Sequence, residues 1–261
     1  MLKLLLQVFF LIIICFSTGT CQYYDISWKK DVPTLSVGIG LTALGSIVQN
    51  KADKASLSDI NALRGEDLIF LDRGAVNNLS GTAQDISDIF LYSSIAFPVV
   101  TFASNKCRAN TGAIIVMTAE VALLTSGVTS IVKGIAQRYR PFNYNPDVEE
   151  LVKLGNSSRK SFISGHTSSV AALTFLTARI VTDLHPETKH KKLIWGTAIV
   201  LPAVIGTLRV QAGKHFPTDV IGGYVVGAAI GYLIPKLHLS NNENINISTV
   251  GLSGLNLSVN F

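Results

Sequence analysis

The sequence predicts an all-α fold, a helical bundle that crosses a membrane several times and ends in a short tail that is either a β-hairpin or disordered. Three observations carry this. Hydrophobic residues make up 48% of the 261 positions and charged residues only 15%, with a mean hydropathy of +0.39, which is too apolar for a disordered or low-complexity chain. The apolar residues gather in runs of helix length: Val32 to Asn50, Ile89 to Asn105, Ala109 to Val132 interrupted by Glu120, Ser161 to Ala178, Leu193 to Leu208 and Val220 to Pro235. The runs carry Gly, Ala, Ser and Thr freely, as closely packed helices in lipid do, and a crossing needs about 20 apolar residues. Burial in a large soluble helical core is the competing reading of the same composition, supported by Glu120 and Arg179 inside apolar stretches, because charge in lipid is costly.

Taken in order, Met1 to Lys3 lead into an uncharged stretch with its apolar core at Leu4 to Phe16, followed by small residues up to Cys21. That is the shape of an export signal, cleaved before Gln22 or kept as an anchor, with lipidation of Cys21 the lesser alternative. Lys106 and Arg108, then Lys189, Lys191 and Lys192, then Lys236 fall in connectors that the positive-inside tendency places in the cytoplasm. Spans starting near Ile89, Ala109, Ser164, Leu193 and Val220 then alternate, and residues 133–163 and 209–219 emerge together on the exported side. This parity closes after a cleaved signal only if Val32 to Asn50 does not cross. Residues 51–85 read as a polar, helix-compatible region outside the membrane. In the tail, Ile245 and Ile247, then Leu255, Leu257, Val259 and Phe261, alternate about Gly251 to Gly254, a hairpin pattern.

The net charge of +5 comes from short groups of basic residues, without the long cationic tract suited to nucleic acid. Cys15, Cys21 and Cys107 make neither a metal-ligand cluster nor a disulfide framework.

Chemistry concentrates in three clusters at the ends of apolar helices. The first runs from Lys133 through Arg138 and Arg140 to Pro141, where proline stops a helix. The second is Arg159-Lys160-Ser161-Phe162-Ile163-Ser164-Gly165-His166, in which Ser164 suits an N-cap and the amides of Gly165 and His166 suit an anion. The third runs from Arg209 through Lys214 and His215 to Asp219, four residues beyond the histidine, so that on a helix starting near Pro217 the carboxylate reaches the ring. Two imidazoles among guanidinium and ammonium groups, with no carboxylate cluster for Mg²⁺ or Ca²⁺, fit phosphoryl transfer without a metal or other cofactor.

Lys-x6-Arg-Pro at Lys133 to Pro141, Ser-Gly-His at Ser164 to His166, and Arg-x5-His-x3-Asp at Arg209 to Asp219 resemble the signature of the type 2 phosphatidic acid phosphatase superfamily, the acid phosphatase and vanadium haloperoxidase group. The resemblance covers about residues 86–238. It marks a helical phosphatase core (86–238), and the segments outside it read from the sequence as an export signal or anchor (1–21), an N-terminal non-catalytic region (22–85) and a tail (239–261). It departs from the family pattern at Ile163, where proline is usual, and at Leu208, where serine is usual. The resemblance implies that His215 is the nucleophile, oriented by Asp219. It also implies that His166 is the acid and base, and that Lys133, Arg140, Ser164, Gly165 and Arg209 hold the phosphate. The implied activity is hydrolysis of a lipid phosphate or diphosphate at the exported membrane face, with a phosphorylated lipid and the membrane as partners and no nucleic acid. A soluble exported acid phosphatase, a vanadate-dependent haloperoxidase and a non-enzymatic helical transporter or scaffold are the alternatives.

Overall fold

A computed structural model describes residues 23–51 and 54–240 in full and the backbone of two strands beyond them, Ile245–Thr249 and Leu255–Val259. The export-signal expectation for residues 1–21 and the turn at Gly251 to Gly254 lie outside the described residues. The described helices are α1 (Trp28–Lys51), α2 (Leu57–Ala62), α3 (Phe70–Arg73), α4 (Gly81–Ser93), α5 (Ala96–Val100), α6 (Asn105–Ala109), α7 (Thr111–Ala136), α8 (Glu150–Lys153), α9 (Gly165–Leu184), α10 (Lys191–Gln211) and α11 (Pro217–Leu237). The two strands pair antiparallel with Ile245 opposite Val259 and Thr249 opposite Leu255, so the hairpin alternative for the tail is the one found.

Helices α1, α7, α10 and α11 are long and apolar enough to cross a membrane, and α4 joined to residues 96–103 makes a fifth candidate bent by 42°. Large apolar side chains stand exposed along them, among them Ile39 and Ile47 on α1, Ile89 on α4, Ile199 and Val200 on α10, and Val225 on α11. A water-soluble bundle would leave far smaller apolar patches uncovered. The protein is therefore a membrane protein. The two charges that favoured a soluble reading are also accounted for. Arg179 pairs with Asp183 at 2.6 Å and lies over the Tyr232 ring, and Glu120 is fully buried beside His238 at 3.3 Å.

The core lies between α7, α9 and α11, where Ile114, Met117 and Val121 meet Leu176, Ile180 and Ile234. Helix α9 is central. Glycines set its separation from α11: a Cβ at Gly223, Gly227 or Gly231 would meet the carbonyl oxygens of Ser164, Ser168 and Ala172 at 2.4, 2.0 and 2.1 Å. The four-residue spacing keeps these glycines on one face, so the two backbones run parallel in near contact.

Helix α1 corrects the sequence map. Its Gly38 and Gly45 sit against Leu123 and Ser130, and Gly127 and Gly134 of α7 against Leu41 and Val48, so α1 lies parallel to α7 over most of its length. The non-crossing assignment of Val32 to Asn50 rested on a signal cleaved before Gln22. The structure instead puts the segment before α1 at the bundle end away from the three clusters. There the Tyr23 and Tyr24 amides bond Asn110, the Tyr24 hydroxyl bonds Asp183, and Tyr24 bridges to Leu239. Residues 104 and 185 meet at the same end. A crossing α1 then preserves the alternation of the helices that follow.

The glycine contacts give a stability test. Gly227→Val drives methyl groups into the Ser168 carbonyl, and overpacking of this kind costs about 1–3 kcal/mol or more, whereas a Cβ at Gly40 meets nothing within 4 Å. Thermal unfolding in detergent should show a clear drop in midpoint for Gly227→Val and little change for Gly40→Val.

Candidate active site

The loops between α7 and α9 and between α10 and α11 come together at one end of the bundle. Helix α7 ends at Ala136, where Gln137 turns left-handed at φ 41°, four residues earlier than the proline stop the sequence suggests. The turn sends Arg138 inward. Its guanidinium donates to Asp72 at 2.6 Å, to Asp219 at 2.6 Å and to the Thr218 hydroxyl at 2.7 Å, and it lies 4.2 Å over the Phe216 ring. Both carboxylates are fully buried. Asp72 also accepts from the Thr218 amide at 3.1 Å.

Asp219 begins α11 as sequence spacing suggests, accepting the Phe216 amide at 2.8 Å, with Pro217 at the first helical position, where its missing N–H costs nothing. Its contact with His215 differs from the expectation. Nδ1 of His215 lies 3.7 Å from the carboxylate and 2.8 Å from the Ser161 carbonyl, while the Ser161 hydroxyl donates to Asp219. A carbonyl only accepts, so Nδ1 carries the proton and the neutral ring leaves its Nε2 lone pair unprotonated. Asp219 thus acts on His215 through Ser161. Burial, reinforced by the positive charges of Arg140, Lys133 and Arg209, holds the His215 ring well below the usual imidazole range.

The loop that carries His215 needs glycine at 213. Gly213 has φ +66°, and a Cβ there would stand 2.1 Å from the Asn78 carbonyl. Residues 78–80 close over this loop, with the Asn78 side chain donating to Val210 at 3.2 Å and the Ser80 amide to Gln211 at 3.0 Å.

At the start of α9 the Ser164 side chain caps the Thr167 amide as expected, and its hydroxyl also meets that of Thr167 at 2.9 Å. The Ser164 amide donates to the Asp219 carbonyl at 2.9 Å, which ties the second cluster to the third. Lys133 Nζ lies 3.3 Å from where a Gly165 Cβ would be, so glycine admits the ammonium group against the helix start. His166, one residue on, bonds Asp88 of α4 at 2.7 Å through Nε2, and Arg209 Nη1 reaches the same carboxylate oxygen at 2.9 Å and the Ser87 hydroxyl at 3.0 Å. Arg209 Nε is buried without a hydrogen-bond partner, an orphaned donor that a ligand oxygen would satisfy. Arg140 is anchored by the Ser157 carbonyl at 2.9 Å and the Lys214 carbonyl at 3.2 Å.

Every residue singled out from the sequence is therefore found at this end of the bundle. Three others that contribute were not anticipated: Asp72, Asp88 and the Ser161 carbonyl. Asp72 lies in the segment read as non-catalytic, and Asp88 at the edge of an apolar run. An acidic residue entering such a run, as Asp88 does, is the signal that singles it out.

Among the described residues one group has the spacing to hold a metal ion, Asp31, Glu120 and His238, with ligand atoms within 4.8 Å of one another. It lies at the opposite end, where His238 bonds the Ile234 carbonyl at 2.9 Å through Nδ1 and Asp31 at 2.8 Å through Nε2. At the candidate active site, Asp88 and Asp219 are instead engaged by arginines.

Comparison with known proteins identifies the family. The PAP2 superfamily model matches residues 113–243. The lipid A 4'-phosphatase of Porphyromonas gingivalis is 27% identical over 187 residues, 67% of this chain and 75% of that protein. Phosphatidylglycerophosphatase B of Bacillus subtilis is 33% identical over 108 residues, 41% of this chain and 49% of that one. Among solved structures, the transmembrane PAP2-type phosphatidylglycerolphosphate phosphatase of Bacillus subtilis aligns with 80% of this chain and 95% of its own at 21% identity and a TM-score of 0.47. The family match spans half the chain and takes in all three clusters, and the chain belongs to the PAP2 superfamily.

Proposed function

We propose that this protein removes phosphate from a phosphorylated lipid through a phosphohistidine formed on His215, at the exported face of the membrane. The observation that carries the reading is a buried, neutral imidazole with a free Nε2, facing Lys133, Arg140 and Arg209. The names of the relatives, a lipid A 4'-phosphatase and a phosphatidylglycerophosphatase, support a lipid substrate, and the exposed apolar faces favour a membrane enzyme over a soluble exported one.

In the first step Nε2 of His215 attacks phosphorus and the bond to the leaving oxygen breaks. His166, entering the step as the imidazolium, gives that oxygen a proton and becomes neutral, with Asp88 fixing its ring. Water, giving a proton to His166, then attacks phosphorus, the phosphorus–nitrogen bond breaks with its electron pair returning to Nε2 of His215, and phosphate departs. Lys133, Arg140, Arg209 and the amide of Gly165 hold the equatorial oxygens, matching cation positions to the charge spread in the transition state. Ser164 shapes this cradle through its cap. The chemistry is assigned to residues 86–238, with Asp72 supporting it from outside that range. Lys29, Lys30, Lys106, Arg108, Lys189, Lys191, Lys192 and Lys236 gather toward the far end of the bundle, and the positive-inside tendency therefore directs the site to the exported side.

Phosphate release from phosphatidate, a prenyl diphosphate and a chromogenic phosphomonoester, measured in detergent with chelator present, tests this reading. Turnover of at least one lipid should survive the chelator, and His215→Ala and His166→Ala should each lose at least about a thousandfold in kcat. Lipid turnover undiminished in either variant contradicts the roles. Asp88→Asn separates positioning from binding: kcat should fall by about 10–100-fold while KM changes less than threefold. A rise in KM at constant kcat would assign Asp88 to binding instead.

A further inference from the structure

The pair Arg159-Lys160 opens the second cluster, yet neither takes part in the chemistry above. Both line a cavity of about 330 Å³ between the end of α1, the end of α7 and the loop that follows α8. Gln49, Asn50 and Lys54 line it from the first side and Lys133 from the second. Among the described residues the wall thus carries four cationic side chains, three amide side chains and no carboxylate. The Arg159 guanidinium is held over the Tyr139 ring at 5.2 Å, which presents it as a planar group on a fixed support.

Like charges crowded around one space repel unless an anion joins them. Lys133 is common to this cavity and to the catalytic centre, because its ammonium group also stands against Gly165 at the start of α9. An anion in the cavity would therefore be neighbour to the phosphate under attack. The volume is at the small end of ligand pockets, enough for a phosphorylated fragment of a head group.

We propose that this cavity is a second anion subsite, which receives a phosphate of the substrate other than the one being hydrolysed. The inference rests on the lipid-phosphatase reading above and narrows it to substrates with two phosphates. The second phosphate is either the adjoining one of a diphosphate ester or a separate one elsewhere on the head group. The two share one chemistry, and Lys54, Arg159 and Lys160 select for it.

The test uses the full chain purified in detergent, comparing wild type with the double variant Lys54→Gln, Lys160→Gln, neither residue having a part in the catalytic steps. Three lipids are compared: a prenyl monophosphate, the matching prenyl diphosphate, and a glycolipid with two separate phosphates. The expected result is a KM at least tenfold higher for one of the two-phosphate lipids, with kcat held and the monophosphate KM within twofold. The lipid that responds identifies the source. Equal changes for all three, or no change, overturn the proposal. A binding measurement on the wild type is independent of turnover and of how the variant folds. Methylenebisphosphonate should bind at least tenfold more tightly than methylphosphonate by calorimetric titration if the second phosphate is the adjoining one, and equal affinities overturn that source. Absence of lipid turnover in the wild type, with the bisphosphonate still preferred, would defeat the lipid-phosphatase reading and leave the anion subsite standing.

Discussion

The arrangement of the site depends on the buried bridge from Arg138 to Asp72 and Asp219. Two carboxylates with no exposure are held by one guanidinium, and removing one partner from such a buried pair is far more destabilising than never having built it. The bridge joins three stretches that are remote in the chain: the segment around α3, the turn after α7 and the start of α11. Once Asp219 is fixed, the Ser161 hydroxyl and the Phe216 amide follow, and the Ser161 carbonyl in turn fixes the His215 ring. Arg138 lies in the first motif, but its work is structural, and Arg140 two residues on is free to point at the site from the other side of the turn.

The second constraint is electrostatic. Lys133, Arg140 and Arg209 converge on a space from which His215 is shielded from water, and their mutual repulsion is only partly relieved by Asp88, which bonds Arg209. Such a site is poised for an anion with several oxygens and is unfavourable without one. Burial and the same charges favour an unprotonated His215, which is the state the proposed nucleophile needs. In the proposed reaction, binding and nucleophile activation arise from one arrangement of side chains. The central helix α9 makes this possible by bringing Gly165 and His166 to the cations, and the glycines of α11 let that helix lie close enough to complete the pocket.

Much of this was legible in the sequence because the functional residues sit at helix ends, where local spacing decides geometry. Ser164 as a cap, Pro217 as a helix start and Asp219 one turn beyond His215 follow from short-range rules, and the structure bears them out. Partners set by long-range packing were not legible. Asp72 and Asp88 meet Arg138 and Arg209 across 66 and 121 residues, and although the place of Asp88 beside an apolar run marks it, nothing local names the partner of either. The Ser161 carbonyl that fixes His215 is a backbone atom, the same in every residue type. The place of helix α1 was not legible for a related reason: charge parity says nothing of packing, and its glycines are the surface that docks on α7. The buried Glu120, taken alone, argued against lipid, and its neighbour His238, 3.3 Å away, is another contact set by long-range packing.

The central claim is that His215 carries the phosphoryl group in mid-reaction. Rapid quenching of the enzyme with a lipid substrate bearing radioactive phosphate, followed by peptide mapping, tests it most directly. Label that is stable in alkali, labile in acid and confined to the peptide containing His215 is the predicted result. Steady turnover with no labelled peptide at any quench time, or label on a peptide without His215, would contradict it.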